Sequence, residues 1–91
     1  MGTSKKSKIK VKFRKLGKKK PNGKNNTPFG TFNTKTKVVE IDPRQTEDEL
    51  MDTLIHECIH ASYPYLEEYA VHSGSSTVAQ ILWDMGYRRI R

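Results

Sequence analysis

The sequence predicts a small α+β fold: a three-stranded, antiparallel-type sheet packed on two helices. Three observations predict it. Apolar and basic residues alternate near the N-terminus, a short β-branched run ends at Ile41, and two stretches of helical periodicity fill the rest of the chain. With 91 residues, 34% of them hydrophobic, the chain can close one thin core and no deep enclosed cavity, so one domain is expected.

The elements follow in order. Ile9, Val11 and Phe13 alternate with Lys8, Lys10, Lys12 and Arg14, the period-2 pattern of a strand with one buried face. Lysines on its other face suit an edge strand, where they discourage pairing between molecules. Leu16 to Asn26 reads as a loop, with turn chemistry at Pro21-Asn22-Gly23. Phe29 and Phe32 flank Gly30 in a second strand, Asn33 to Thr36 forms a turn, and Val38 to Asp42 is a third strand stopped by Pro43. Thr46-Glu47-Asp48-Glu49 matches a capping box, with three acids placed where the helix dipole favours them. Leu50, Met51, Leu54, Ile55, Cys58 and Ile59 then recur at helical spacing through Ala61, and Tyr63-Pro64 ends the helix. A second helix is expected from Glu67 to Met85, with Val71, Val78, Leu82 and Met85 as its apolar stripe and Gly86 as its stop. Gly74, Ser75 and Ser76 in its middle would let the two helices approach closely.

Charge divides the chain. Residues 1–24 hold eleven Lys and Arg and no acid, while residues 25–91 hold six bases and ten acids, so +11 and −4 make up the net +7. The reading is a basic N-terminal arm (1–24) that includes an edge strand, followed by a mildly acidic compact body (25–91). The Lys18–Lys20 cluster makes nucleic acid a candidate partner of the arm. No apolar run is long enough to span a membrane, and no secretory signal opens the chain, so a cytoplasmic location is expected. The single cysteine, Cys58, excludes an internal disulfide.

The chemistry lies in His56-Glu57-Cys58-Ile59-His60. Residues four apart share a helix face, so His56 and His60 can direct imidazole nitrogens at one ion, and zinc suits such a pair. Glu57 sits at the same edge, placed to deprotonate a water without itself being a ligand. Cys58 points away from the histidine face and reads as a core residue. A site of this kind takes a third protein ligand and one open position. Glu67, Glu68 and His72 are the candidates, and a helical wheel slightly prefers Glu67. His72 reads as a surface residue or as a partner beside the ligands.

The segment KTKVVEIDPRQTEDELMDTLIHECIHASYPYLEEYAV, with ILWDMGYRR further on, resembles small phage-encoded zinc metallopeptidase-like proteins and, more broadly, minigluzincins. These pair an HExxH helix with a glutamate helix over a small β-sheet. The resemblance rests on Ile41-Asp42, Thr53–Ala61, Leu66–Val71 and Leu82–Arg88, and it covers Phe29 to Arg89. It implies Zn2+ held by His56, His60 and Glu68, with Glu57 as general base in the hydrolysis of a peptide or protein substrate. Tyr63, Tyr65, Tyr69 and His72 are near enough in sequence to stabilise an oxyanion. The pattern departs from larger gluzincins, whose glutamate helix lies much further from the HExxH; the short link leaves little chain for the far wall of a cleft. The basic arm is outside the match. A zinc-stabilised module that binds nucleic acid without catalysis, or a virion or scaffold component, are the competing functional classes.

Overall fold

A computed structural model describes residues 8–90, so Lys5 and Lys6 of the basic arm lie outside the described residues. Three strands, β1 (Lys10–Phe13), β2 (Gly30–Asn33) and β3 (Val38–Ile41), are followed by two helices, α1 (Glu47–Ser62) and α2 (Glu68–Asp84). The fold is the expected α+β arrangement of three strands and two helices. Its sheet has the order β1-β3-β2.

The sheet is mixed, which corrects the antiparallel-type expectation. β2 and β3 form a tight antiparallel hairpin, with Gly30 opposite Ile41 and Asn33 opposite Val38. β1 pairs with the other edge of β3 in parallel, Lys10 opposite Val38 and Phe13 opposite Ile41. The connection explains the direction. The chain leaves β1 at Phe13 and enters β2 at Gly30, both beside Ile41, so the loop crosses one end of the sheet and sets β1 and β2 antiparallel. Inserted between them and antiparallel to β2, β3 must run parallel to β1.

Val39, Ile41 and Leu50 form the core, with Ile9, Phe32, Leu54 and Ala61 packed against it. α1 lies over β2 and β3, and α2 packs on α1 without touching a strand, so the layers run sheet, α1, α2. β1 therefore projects beyond its cover. Val11 is 40% and Phe13 46% exposed, and the buried face expected of this strand is reduced to Ile9 at its start. The Arg89 guanidinium lies 4.8 Å from the centre of the Phe13 ring and covers part of it.

Two local devices hold the frame around α1. Thr46 is its N-cap: its N–H donates to Glu49 Oε1 at 3.0 Å, the reach-back half of the capping box, and its hydroxyl donates to Asp48. At the end of β3, Asp42 is fully buried and accepts from the Leu16 amide (2.9 Å), the Arg44 amide (3.0 Å) and the Arg44 guanidinium (2.8 Å). The guanidinium also donates to the carbonyls of Gly17, Lys18 and Lys19. Asp42 and Arg44 thus fasten the loop after β1 to the sheet end.

The packed stripe of α2 also differs from the one expected. Val71, Ser75 and Ala79, at i, i+4 and i+8, are its buried residues, while Val78 (44%) and Met85 (69%) face solvent. Close approach of α1 selects small side chains, and that criterion outranks hydrophobicity at this contact. Ser75 and Ser76 meet α1, Ser76 donating to Asp52 at 3.4 Å, whereas a Cβ at Gly74 would meet nothing within 4 Å.

Candidate metal centre

α1 presents His56 and His60 one turn apart, and Tyr63–Glu67 folds the chain back so that α2 begins with Glu68 beside them. Tyr63 closes α1 through its N–H to the Ile59 carbonyl at 2.8 Å. The His56 and His60 Nε2 atoms are 3.1 Å apart. Glu68 Oε1 is 2.5 Å from His60 Nε2, and its Oε2 is 3.3 Å from His56 Nε2. Two imidazole nitrogens and a carboxylate edge thus converge on one point. Tetrahedral ligands about 2.0–2.1 Å from zinc lie roughly 3.4 Å from each other, so these separations suit a closely held cation. Together His56, His60 and Glu68 could hold a metal ion.

Glu67 stands outside this set. It is the N-cap of α2, and its carbonyl accepts from the Ala70 and Val71 amides. Helical angles assigned to a residue before the first helical position do not apply to it. Cys58 is partly buried on another side of α1, with its thiol pKa raised by burial and by the Glu57 charge.

Ser75 is the functional residue the sequence reading passed over as a small packing group. It is fully buried, its hydroxyl donates to the His72 carbonyl at 3.1 Å, and its oxygen lies 3.4 Å from His56 Nδ1. With its proton committed to that carbonyl, Ser75 can only accept from the Nδ1–H of His56. That leaves the Nε2 lone pair of His56 free to face an ion. A small polar residue one turn past Val71, where an apolar one would continue the stripe, was the available signal.

Glu57 lines a cavity of about 350 Å³ with His56, His72, Thr53, Gln45 and the start of β2. Burial raises its pKa, the nearby His56 and His60 oppose that, and the Glu68 charge adds to it. Glu68 itself is held below the ordinary glutamate value: burial works upward, but the His60 hydrogen bond and the two imidazoles outweigh it. Gly30 makes this wall possible. A Cβ there would stand 2.9 Å from Thr53 Cγ2 and 3.0 Å from Glu57 Cγ, so only glycine lets β2 lie this close to the glutamate. Gln45 ties the same wall together, its amide donating to the Phe29 and Asp42 carbonyls and its oxygen accepting from Thr53.

Of the four side chains considered for oxyanion stabilisation, His72 alone lines the cavity, its ring 6.2 Å from that of His56. Tyr63, Tyr65 and Tyr69 are 49%, 78% and 73% exposed and lie outside it. No family model, no curated protein and no solved structure matches this chain.

Proposed function

We propose that the chain is a zinc-dependent metallopeptidase. The observation that carries this reading is the convergence of His56, His60 and Glu68 on one point with the Glu57 carboxylate beside it in an open cavity. The donor set itself favours zinc, since two imidazoles and one carboxylate form a tripod that leaves a fourth tetrahedral position open. When bound there, zinc supplies Lewis acidity: it lowers the pKa of water in the open position to about 7 and polarises a peptide carbonyl.

The protein groups divide the remaining work. Ser75 keeps His56 in the tautomer that offers Nε2 to the ion. Glu57 takes a proton from the attacking water onto its carboxylate and delivers it to the leaving amine; its upward-shifted pKa suits that return step. His72, at the cavity wall, is the side chain best placed to donate to the carbonyl oxygen as it gains charge. The carboxylates of Glu49 and Asp52 on the same wall favour substrates carrying a basic side chain.

The test is zinc content together with cleavage of an unfolded protein by the wild type and by Glu57→Gln. The expected result is equal zinc in both and a loss of cleavage on the order of a hundredfold or more in the variant. Equal zinc with equal, background cleavage would overturn the enzymatic reading and leave a zinc-stabilised module without catalysis.

A further inference from the structure

The charge of this molecule separates by layer. Among the described residues, 8–42, which include the three strands, carry eleven Lys and Arg against two acids, and 43–90, which include the helices, carry three Arg against eight acids. The two parts are therefore +9 and −5. Both acids of the first group are already engaged. Glu40 is held by Arg14 at 2.7 and 2.9 Å, and Asp42 is buried under Arg44.

Five of these bases lie on or beside one face of the sheet, whereas Lys15, Lys18, Lys19, Lys20 and Lys24 sit in the loop after β1, Lys20 near the start of α1. Val11 and Phe13 stand in register with the buried Val39 and Ile41, on the side α1 covers. The pleat then sends Lys10 and Lys12 to the opposite face, where Arg14 meets Glu40. At the start of β1, the Lys10 amide donates to the Lys37 carbonyl at 3.0 Å, which brings the β2–β3 turn alongside. That turn is rigid: Asn33 Oδ1 accepts from the Lys35 and Thr36 amides at 2.9 and 3.1 Å, and Lys37 takes a left-handed conformation at φ 60°. Lys8, Lys10, Lys12, Lys35 and Lys37 are all exposed, and neither α1 nor α2 covers this face of the sheet.

We propose that this outer face of the sheet binds the sugar-phosphate backbone of duplex DNA without reading its sequence. Protection of an edge strand accounts for lysines on β1, but not for those on the hairpin turn across the sheet. A polyanion of fixed shape accounts for both, because neutralising each phosphate releases counterions. The face carries Thr31 and no exposed aromatic ring, so it offers charge and hydroxyl contacts to phosphate but no platform for stacking unpaired bases. Among the described residues Val38, opposite Lys10 and partly buried, is its one apolar strand side chain, too little apolar surface for an anionic membrane to receive. The proposal is independent of the candidate metal site, which is built from α1 and the start of α2 and uses none of these lysines.

The test is fluorescence anisotropy on a 20-base-pair duplex across a salt series, using the full chain. Five phosphate contacts predict a slope of log K against log salt of about −4.5. Lys10→Gln/Lys12→Gln should reduce that slope by about 2 and weaken binding roughly 50-fold at 0.1 M salt, while Lys10→Arg/Lys12→Arg should bind as the wild type does. Far-UV circular dichroism confirms that each variant keeps its helices. Unchanged binding by the glutamine variant would overturn the proposal, placing the affinity elsewhere in the arm. Tighter binding to single-stranded DNA, or to phosphatidylserine vesicles, than to the duplex would overturn it as well.

Discussion

At the scale of single residues, Ser75 controls more than its size suggests. Among the described residues it is the one hydroxyl that meets a ring nitrogen of His56 or His60, and through the His72 carbonyl its own orientation is settled. Ser75→Ala should leave the fold intact and weaken zinc binding about 10- to 100-fold, read by competition against a chelator of known affinity. An unchanged affinity would show that packing alone orients His56. His56, Glu57 and His60 were legible in the sequence because helical spacing alone brings them together. Ser75 was harder to read, because its place one turn past Val71 was its one signal within a run of small residues that also holds Ser73 and Ser76. The slight preference of the wheel for Glu67 fails, since the helix begins between Glu67 and Glu68 and an angle has no meaning for its cap.

At the scale of elements, α1 was legible almost to the residue, from Thr46 at its cap to Tyr63 before Pro64. Both ends of that helix are written in local chemistry. The direction of β1 was not, because alternation reports which residues share a face and says nothing of parallel or antiparallel pairing. The stripe of α2 was misplaced for a related reason: hydrophobicity points to Val78 and Met85, and the neighbouring helix admits Ser75 and Ala79. The latch between Asp42 and Arg44 belongs to this scale, since it joins the loop after β1 to the end of β3. Asp42→Asn should destabilise the protein by roughly 3 kcal/mol in urea unfolding, at the low end for a broken buried pair because Arg44 keeps partial contact with water. The Arg44 guanidinium and two backbone amides outweigh burial and hold the Asp42 carboxyl well below the usual carboxylate range. Its contribution to stability is therefore complete above the unfolded value of about 4 and is lost as the pH falls below it. A wild-type stability that drops below pH 4 more steeply than that of Asp42→Asn is the expected signature.

For the whole molecule, the order of layers matters. α2 touches α1 and none of the three strands, so its attachment rests on Val71, Ser75 and Ala79, on the Ser76–Asp52 hydrogen bond and on the Glu68 contacts with His56 and His60. Zinc held between the helices at a hundredfold over its dissociation constant would add about 2.7 kcal/mol. Chelation should accordingly lower Tm by on the order of 10 °C and speed amide exchange in α2 before that in the sheet. Uniform exchange throughout, or an unmoved Tm, would count against an ion bridging these helices.

The parallel pairing of β1 also gives assembly an order in time. The β2–β3 hairpin and both helices close through short connections, so their contacts cost little chain entropy. β1 must instead find Val38 and Ile41 across the whole intervening loop and hairpin. The half of the protein that carries His56, His60 and Glu68 can therefore take shape first, with the lysine-bearing strand joining an edge that already exists.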